Sequence, residues 1–314
     1  MSAYIEPTPS AGPSRSRRPK PIRTLRRVVR RPAGAIGVIL VTVVAVPALL
    51  ASRIVPGDPF ALDNPALQPP SRSHPFGTDN LGRDIFQAVI HGTRTSLTVV
   101  LWVTAISALI GITVGAVAGY SGGIVDRMLM RITELFQSIP RFFLALLALS
   151  LFNRTLHNLI LVLGLTSWTL LARVVRAEAS SIRTRSYVEA ARSYGASDLR
   201  VVGRHVIPNI MPTAIAVVSL NASQVILLES SLAFLGLRDQ SRMSLGFLIS
   251  NAQPFLQQNW WMSVFPGVAI FVAVLGINLV ADAVNDVLDP LVAREERATS
   301  KRSVEAVPLD ANRT

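Results

Sequence analysis

This sequence predicts an all-α membrane protein with about six transmembrane helices, and three observations carry that prediction. Hydrophobic residues make up 50% of the 314 positions and charged residues only 16%, against about 25% charged residues in soluble chains. Apolar runs recur that are long enough to cross a hydrocarbon core of about 30 Å at about 1.5 Å per residue. The net charge of +12 collects at the ends of those runs, as in membrane proteins, and not on an apolar-poor domain that would suit a nucleic acid. Cysteine is absent, which excludes a disulfide framework, a thiolate metal site, an iron–sulfur cluster and a cysteine nucleophile. The four histidines, His74, His91, His157 and His205, are scattered.

Residues 1–32 are rich in Pro, Ser and Arg and read as a disordered basic cytoplasmic tail. Nine Lys/Arg lie between Arg15 and Arg31. They suit a topology signal better than a lipid- or nucleic-acid-binding arm. A secretory signal shares this layout, but no small-residue cleavage site follows, so the next run is taken as an anchor. That first run is 33–52, with Pro47 bending its outer end. Residues 53–95 are polar and Pro-rich, an extracytoplasmic segment. Within it HPFGTDNLGRD, His74 to Asp84, reads as a structured turn: Gly77 and Gly82 permit tight turns, and Thr78, Asp79 and Asn80 are good caps. The sharper alternative makes His74, Asp79 and Asp84 metal ligands.

The second run is Ser96 to Ala118, where Ser107, Gly111, Gly115 and Gly119 form a smooth stripe for helix packing. After a polar connection, Tyr120 to Arg131, the third run is Phe142 to Phe152. Amphipathic Met128–Phe136 extends it backward and Pro140 interrupts it. The fourth run is Leu159 to Val175, and a polar loop with seven arginines fills Arg173 to Asn209. The fifth, Pro212 to Leu237, contains Asn221, Gln224 and Glu229. Trp260 and Trp261 read as an interfacial belt before the sixth run, Met262 to Val284, and residues 290–314 as a cytoplasmic tail. Six spans with both termini cytoplasmic put 23 Lys/Arg inside and 7 outside, with Arg141 unassigned. That bias obeys the positive-inside rule and places the Arg173–Asn209 loop in the cytoplasm.

The loop has helix grammar. Over Arg183 to Tyr194, Tyr187, Val188, Ala191 and Tyr194 fall on one face. Glu189 has Arg185 and Arg192 at ion-pair spacing. Gly195 is a left-handed stop, and Ser197 or Asp198 caps a second helix. In that helix Leu199, Val202 and Val206 share the apolar face until Pro208 closes it. Spacing alone leaves two readings: a loop packed on its own helices, or a surface on which a partner docks.

EAARSYGA, Glu189 to Ala196, with IPN, Ile207 to Asn209, resembles the EAA loop of bacterial ABC-transporter permeases. HPFGTDNLGRD, ESSLAFLGL (Glu229 to Leu237) and NLVADAVNDVLDP (Asn278 to Pro290) resemble a narrower group, the C-type permease of dipeptide, oligopeptide and nickel uptake systems. The chain departs from that group at Arg238, where a glycine usually follows FLGL, and at Leu245–Gly246, where a Trp-Gly pair is usual. The resemblance implies the type I importer fold, with a transmembrane domain over 96–289, a coupling loop over 183–210 and an added first helix. It implies ATPase coupling through Tyr187, Glu189, Ala190, Ala191, Gly195 and Pro208. The implied partners are a homologous second permease, two ATP-binding subunits or one fused ATPase, an extracytoplasmic solute-binding protein, and membrane lipid.

No GxxxxGK[ST] phosphate loop is present, so ATP and Mg are expected on the partner ATPase and no cofactor or metal on this chain. Asn221, Gln224 and Glu229 are candidates for the pathway or a gate, although they form no single stripe. A carboxylate at membrane depth costs about 2.5–3.5 kcal/mol on insertion scales, so Glu229 must face protein or water. Di- or oligopeptide import is the leading expectation and nickel import the alternative, because the spans hold few soft or imidazole ligands. A membrane-embedded enzyme lacks a clustered nucleophile and base, and a scaffold leaves the EAA pattern unexplained.

Overall fold

The structure is a computed structural model and describes residues 28–29 and 31–288. The predicted tails otherwise lie outside the described residues. Those residues form helices joined by short turns and one longer segment, with a single isolated β-bridge, Thr78 to Asp84. Among the described residues five helical stretches are long and apolar enough to cross a membrane, and a sixth span forms if a bent pair crosses as one.

Helix α1, Pro32–Leu49, lies along α12, Trp261–Leu288. Glycines set the closeness: a Cβ on Gly37 would sit 2.8 Å from that of Leu279. Arg31 pairs with Asp286 at 2.6 Å across the same contact. A single turn, α2 at Ala51–Ile54, leads into the polar segment 55–84. The central helix is α3, Ile85–Ser121, which touches most other helices. It begins well before the predicted Ser96, because Asp84 caps it by accepting the Gln87 N–H at 3.1 Å. At 37 residues it spans about 55 Å, so its ends outrun the hydrocarbon core.

Helices α4, Gly123–Ser138, and α5, Arg141–Leu151, meet at 79° across the Ile139–Pro140 break. Proline there denies the helix a donor and turns the chain. Next come α6, Leu156–Thr166, and α7, Thr169–Arg183. The predicted loop start at Arg173 is corrected to Thr184. The fourth run continues as α7 because only one face needs burial. Leu171, Ala172, Val175, Ala179 and Ile182 form that face, while Arg173 is exposed and Arg176, at its flank, turns to Asp126 of α4 at 2.6 Å. The buried face of α7 lies against the small-residue stripe of α3. A Cβ on Gly111, Gly115 or Gly119 would meet Leu171, Ala172 and Val175, or Arg176 and Ala179, at under 3 Å.

The loop holds α8, Ser186–Ser193, and the single turn α9, Asp198–Val201. A π-helical turn, Val202–Val206, follows and runs directly into α10, Ile207–Phe234. Pro208 therefore opens α10 and does not close the preceding helix. The wide π turn brings the chain in, and proline in the first helical turn forfeits a hydrogen bond that position would lack anyway. The same turn shifts the buried register, so Val201 and Val206, five residues apart, face the core, followed by Ile210 and Ala214. Leu199 leaves the predicted apolar face and is 87% exposed. After α10 come α11, Leu245–Ala252, and α12.

Trp261 departs from the interfacial belt: it is 7% exposed and its indole N–H donates to the Thr78 carbonyl at 3.3 Å. Its neighbour Trp260 is 53% exposed. The buried Trp261 anchors the HPFGTDNLGRD turn, where Gly77 and Gly82 adopt φ of +75° and +81°. Asp79 accepts the backbone N–H groups of Leu81 and Arg83, and His74 pairs with Asp84 at 2.8 Å. Among the described residues no group of three or more His, Asp or Glu converges for a metal ion.

Candidate functional site

The EAA loop is built from the end of α7 outward. Ile182, Val188, Val201, Val206 and Ile210 are fully buried and pack with Ala116, Tyr120, Val175 and Ala179. This apolar floor fixes α8 and α9 against the end of α3. Gly195 takes φ +78°, and the Ala196 N–H returns to the Ala191 carbonyl at 3.1 Å, a left-handed helix stop. Ser197 occupies the cap position of α9 without a side-chain hydrogen bond there.

Tyr120, at the end of α3, organises the loop. Its hydroxyl donates to Asp198 Oδ1 at 2.6 Å and accepts from Arg192 Nε at 3.2 Å. The Arg192 guanidinium carbon also lies 4.8 Å from the ring centroid, a cation–π contact. The expected Arg185–Glu189 and Glu189–Arg192 pairs do not form among the described residues. Arg192 turns to Tyr120 instead, and Glu189 is left exposed. Ala190 is exposed and Ala191 half-buried. Tyr187 sits 5.9 Å, centroid to centroid, from the His205 ring. Tyr194, which the helix pattern places beside Val188, is instead the C-cap of α8 and 93% exposed. The loop thus buries one face in its own chain and presents Glu189, Ala190, Tyr194 and Leu199 outward.

The pathway candidates separate. Glu229 is 1% exposed and faces α3, where Ser96 Oγ donates to its carboxylate at 2.8 Å and Ser230 Oγ lies at 3.4 Å. Asn221 and Gln224 meet a different partner, Arg141. Their side-chain oxygens each accept a hydrogen bond at 3.0 Å from the Arg141 guanidinium, and Asn221 Nδ2 donates to Ser107 Oγ at 3.3 Å. Sequence reasoning missed Arg141, Tyr120, Asp198 and Ser96 as partners. The signal for Arg141 was present: a lone arginine beside Pro140 inside an apolar run, the one cation that the charge count did not place.

On the opposite end, Phe247 is flanked by two arginines, Arg238 at 3.7 Å and Arg83 at 5.7 Å from its centroid. Burial, and then the neighbouring Arg83, push the Arg238 guanidinium below its ordinary value. Burial alone would raise the Asp239 carboxyl, but hydrogen bonds from the Ser241 hydroxyl and from the Leu156 and Ser241 N–H groups outweigh it and hold it below the usual carboxylate range. Asp239 thereby ties the loop after α10 to the start of α6.

The helical order, the broken third span and the loop between α7 and α10 define the type I fold of an ABC importer permease. One chain of the inward-facing MetNI methionine ABC transporter shares it, with a TM-score of 0.56 over 65% of this chain and 98% of that one, at 18% identity. Residues 111–294 match the family described as "Binding-protein-dependent transport system inner membrane component", and the chain belongs to that family. A Brucella suis biovar 1 protein named for peptide transport is 35% identical over 92% of this chain and 98% of its own length. The dipeptide transport system permease protein DppC of Bacillus subtilis is 36% identical over 72% of this chain and 71% of its own. The nickel transport system permease protein NikC of Escherichia coli K12 is 32% identical over 83% and 95%. The chain is therefore a multi-pass membrane permease of an ABC transport system, a machine that also requires an ATPase and further subunits.

Proposed function

We propose that this chain is one half of the translocation pore of an ATP-driven importer of di- or oligopeptides in the cytoplasmic membrane. Both termini and the EAA loop then lie on the cytoplasmic side, as the arginine bias favours. A homologous permease completes the pore, and two ATP-binding subunits or one fused ATPase bind below, where ATP and Mg are used. An extracytoplasmic binding protein delivers the solute.

The observation that carries the coupling role is the two-sided loop. Val188, Val201 and Val206 root it in the spans, Tyr120 ties it to α3, and Glu189, Ala190 and Tyr194 remain available to another protein. Closure of the ATPase pair would push on α8, and the Tyr120 tie would pass that motion to α3. The peptide reading draws support from the names of several relatives. Nickel import remains the second reading, because NikC is similar over nearly its whole length. Replacing Glu189 by arginine is expected to abolish uptake by the reconstituted complex while the permease still inserts, since the docking surface reverses its charge. Normal uptake with normal ATPase stimulation in that variant would remove the coupling assignment.

A further inference from the structure

We infer that Arg141, presented by Asn221 and Gln224, is a carboxylate-binding point in the translocation path, so that the solute class is one bearing a free carboxylate. The inference rests on the importer reading above and deepens it by naming the group on the solute that the pore recognises.

Three observations carry it. The first is depth. Asn221 and Gln224 lie near the middle of α10, far from both helix ends, and Arg141 begins α5 directly after the 79° break. The second is charge. The Arg141 guanidinium bonds two neutral amide oxygens at 3.0 Å, and among the described residues it forms no ion pair. An arginine at membrane depth is costly unless it faces water or protein, and its charge here is uncompensated. Two amides fix the fork of the guanidinium without cancelling its charge, the arrangement that suits a transient anionic partner. The third is openness. The contact with Gln224 is exposed, and Leu220, Gln224, Leu227, Ser231 and Phe234 form an exposed stripe along α10 at alternating spacings of four and three. A largely apolar face with an amide at Gln224 and a hydroxyl at Ser231, opposed by an arginine, suits a solute that carries one carboxylate and otherwise little charge. A bare divalent cation would be repelled at this point.

The test uses the full complex in proteoliposomes with its binding protein. Two probes are compared: a set of short peptides without acidic side chains, and the same set with C-terminal amides. Each is supplied at a concentration that loads the binding protein equally. Because hydrogen bonds to charged groups are the strong ones, Arg141→Gln should cut uptake of the free-carboxylate set about tenfold relative to the amidated set. Arg141→Lys should keep part of the preference. The amidated set doubles as the control for folding and assembly. An equal loss of both sets in Arg141→Gln, or no loss of either, overturns the inference and assigns Arg141 to holding α5 against α10. Uptake of Ni²⁺ alone, with neither peptide set carried by the unaltered complex, overturns the peptide reading and this inference together.

Discussion

Replacing Tyr120 with phenylalanine removes one oxygen from the joint between α3 and the EAA loop and leaves the ring in place. The lost atom donates to Asp198 at 2.6 Å and accepts from Arg192 at 3.2 Å, both charged partners. A hydrogen bond to a charged group contributes about 1.5–3 kcal/mol. Asp198 and Arg192 are exposed, so water competes for both, and the net loss is discounted to about 1 kcal/mol. The cation–π contact survives, because phenylalanine offers the same face to the Arg192 guanidinium. A loss of about 1 kcal/mol raises the local opening of α8 and α9 about fivefold, without global unfolding. Limited trypsin digestion of the full chain in nanodiscs reads this directly, since Arg192 and Arg200 flank the Gly195 turn. Cleavage after those residues should accelerate about fivefold when opening is fast relative to cutting. The acceleration in the double variant with Asp198→Ala should fall short of the product of the two single effects, because both changes remove the Tyr120–Asp198 bond and only Tyr120→Phe removes the Arg192 bond as well. Fully additive acceleration in the double variant, or an unchanged rate in Tyr120→Phe, would show that Tyr120 does not hold the loop.

Two further outcomes follow from the packing and from the loop after α10. Gly115→Val should lower the melting temperature of the detergent-purified protein, because its Cβ would lie 2.5 Å from the Ala172 carbonyl oxygen and overpacking costs about 1–3 kcal/mol; Gly267→Ala, in open space on α12, should hold or raise it. Asp239 should stabilise the loop between α10 and α11 in a pH-dependent way. Its folded-state carboxyl lies below the ordinary value of 3.8, so its contribution is full at neutral pH and is lost as pH falls through the depressed value. The melting difference between the unaltered protein and Asp239→Ala should therefore shrink between pH 7 and pH 3, and a constant difference would contradict the assignment.

The spans were legible because hydropathy is integrated over many residues, and a single arginine or proline does not hide an apolar run. Boundaries were less legible for reasons that particular residues show. The fourth run looked finished at Val175, with a polar loop already beginning at Arg173, because mean hydropathy falls there. Helix α7 nevertheless continues to Arg183, since its buried face needs only one residue in three or four. The glycine stripe of α3 announced a close neighbour but could not say that α7 was it. Tyr120 and Asp198 are 78 residues apart, and Arg141 and Asn221 are 80 apart. Such pairs follow from the path of the chain through the bundle, which local pattern does not encode.

The misplacement of Leu199 and Tyr194 has a different origin. Helix grammar assumes that apolar residues turn inward, and it counts in steps of 3.6. The π turn at Val202–Val206 breaks the count, so that Val201 takes the inward position that Leu199 would otherwise hold. The assumption itself also fails, because this chain is one part of an assembly. If the EAA loop seats an ATPase, Leu199, Tyr194 and Ala190 are apolar because they are interior residues of an interface that this chain only half supplies. Glu189 then has no ion-pair partner among the described residues because its partner lies on the other protein. If Arg141 receives the solute, the exposed stripe on α10 is open to the same argument, with the solute as its missing half.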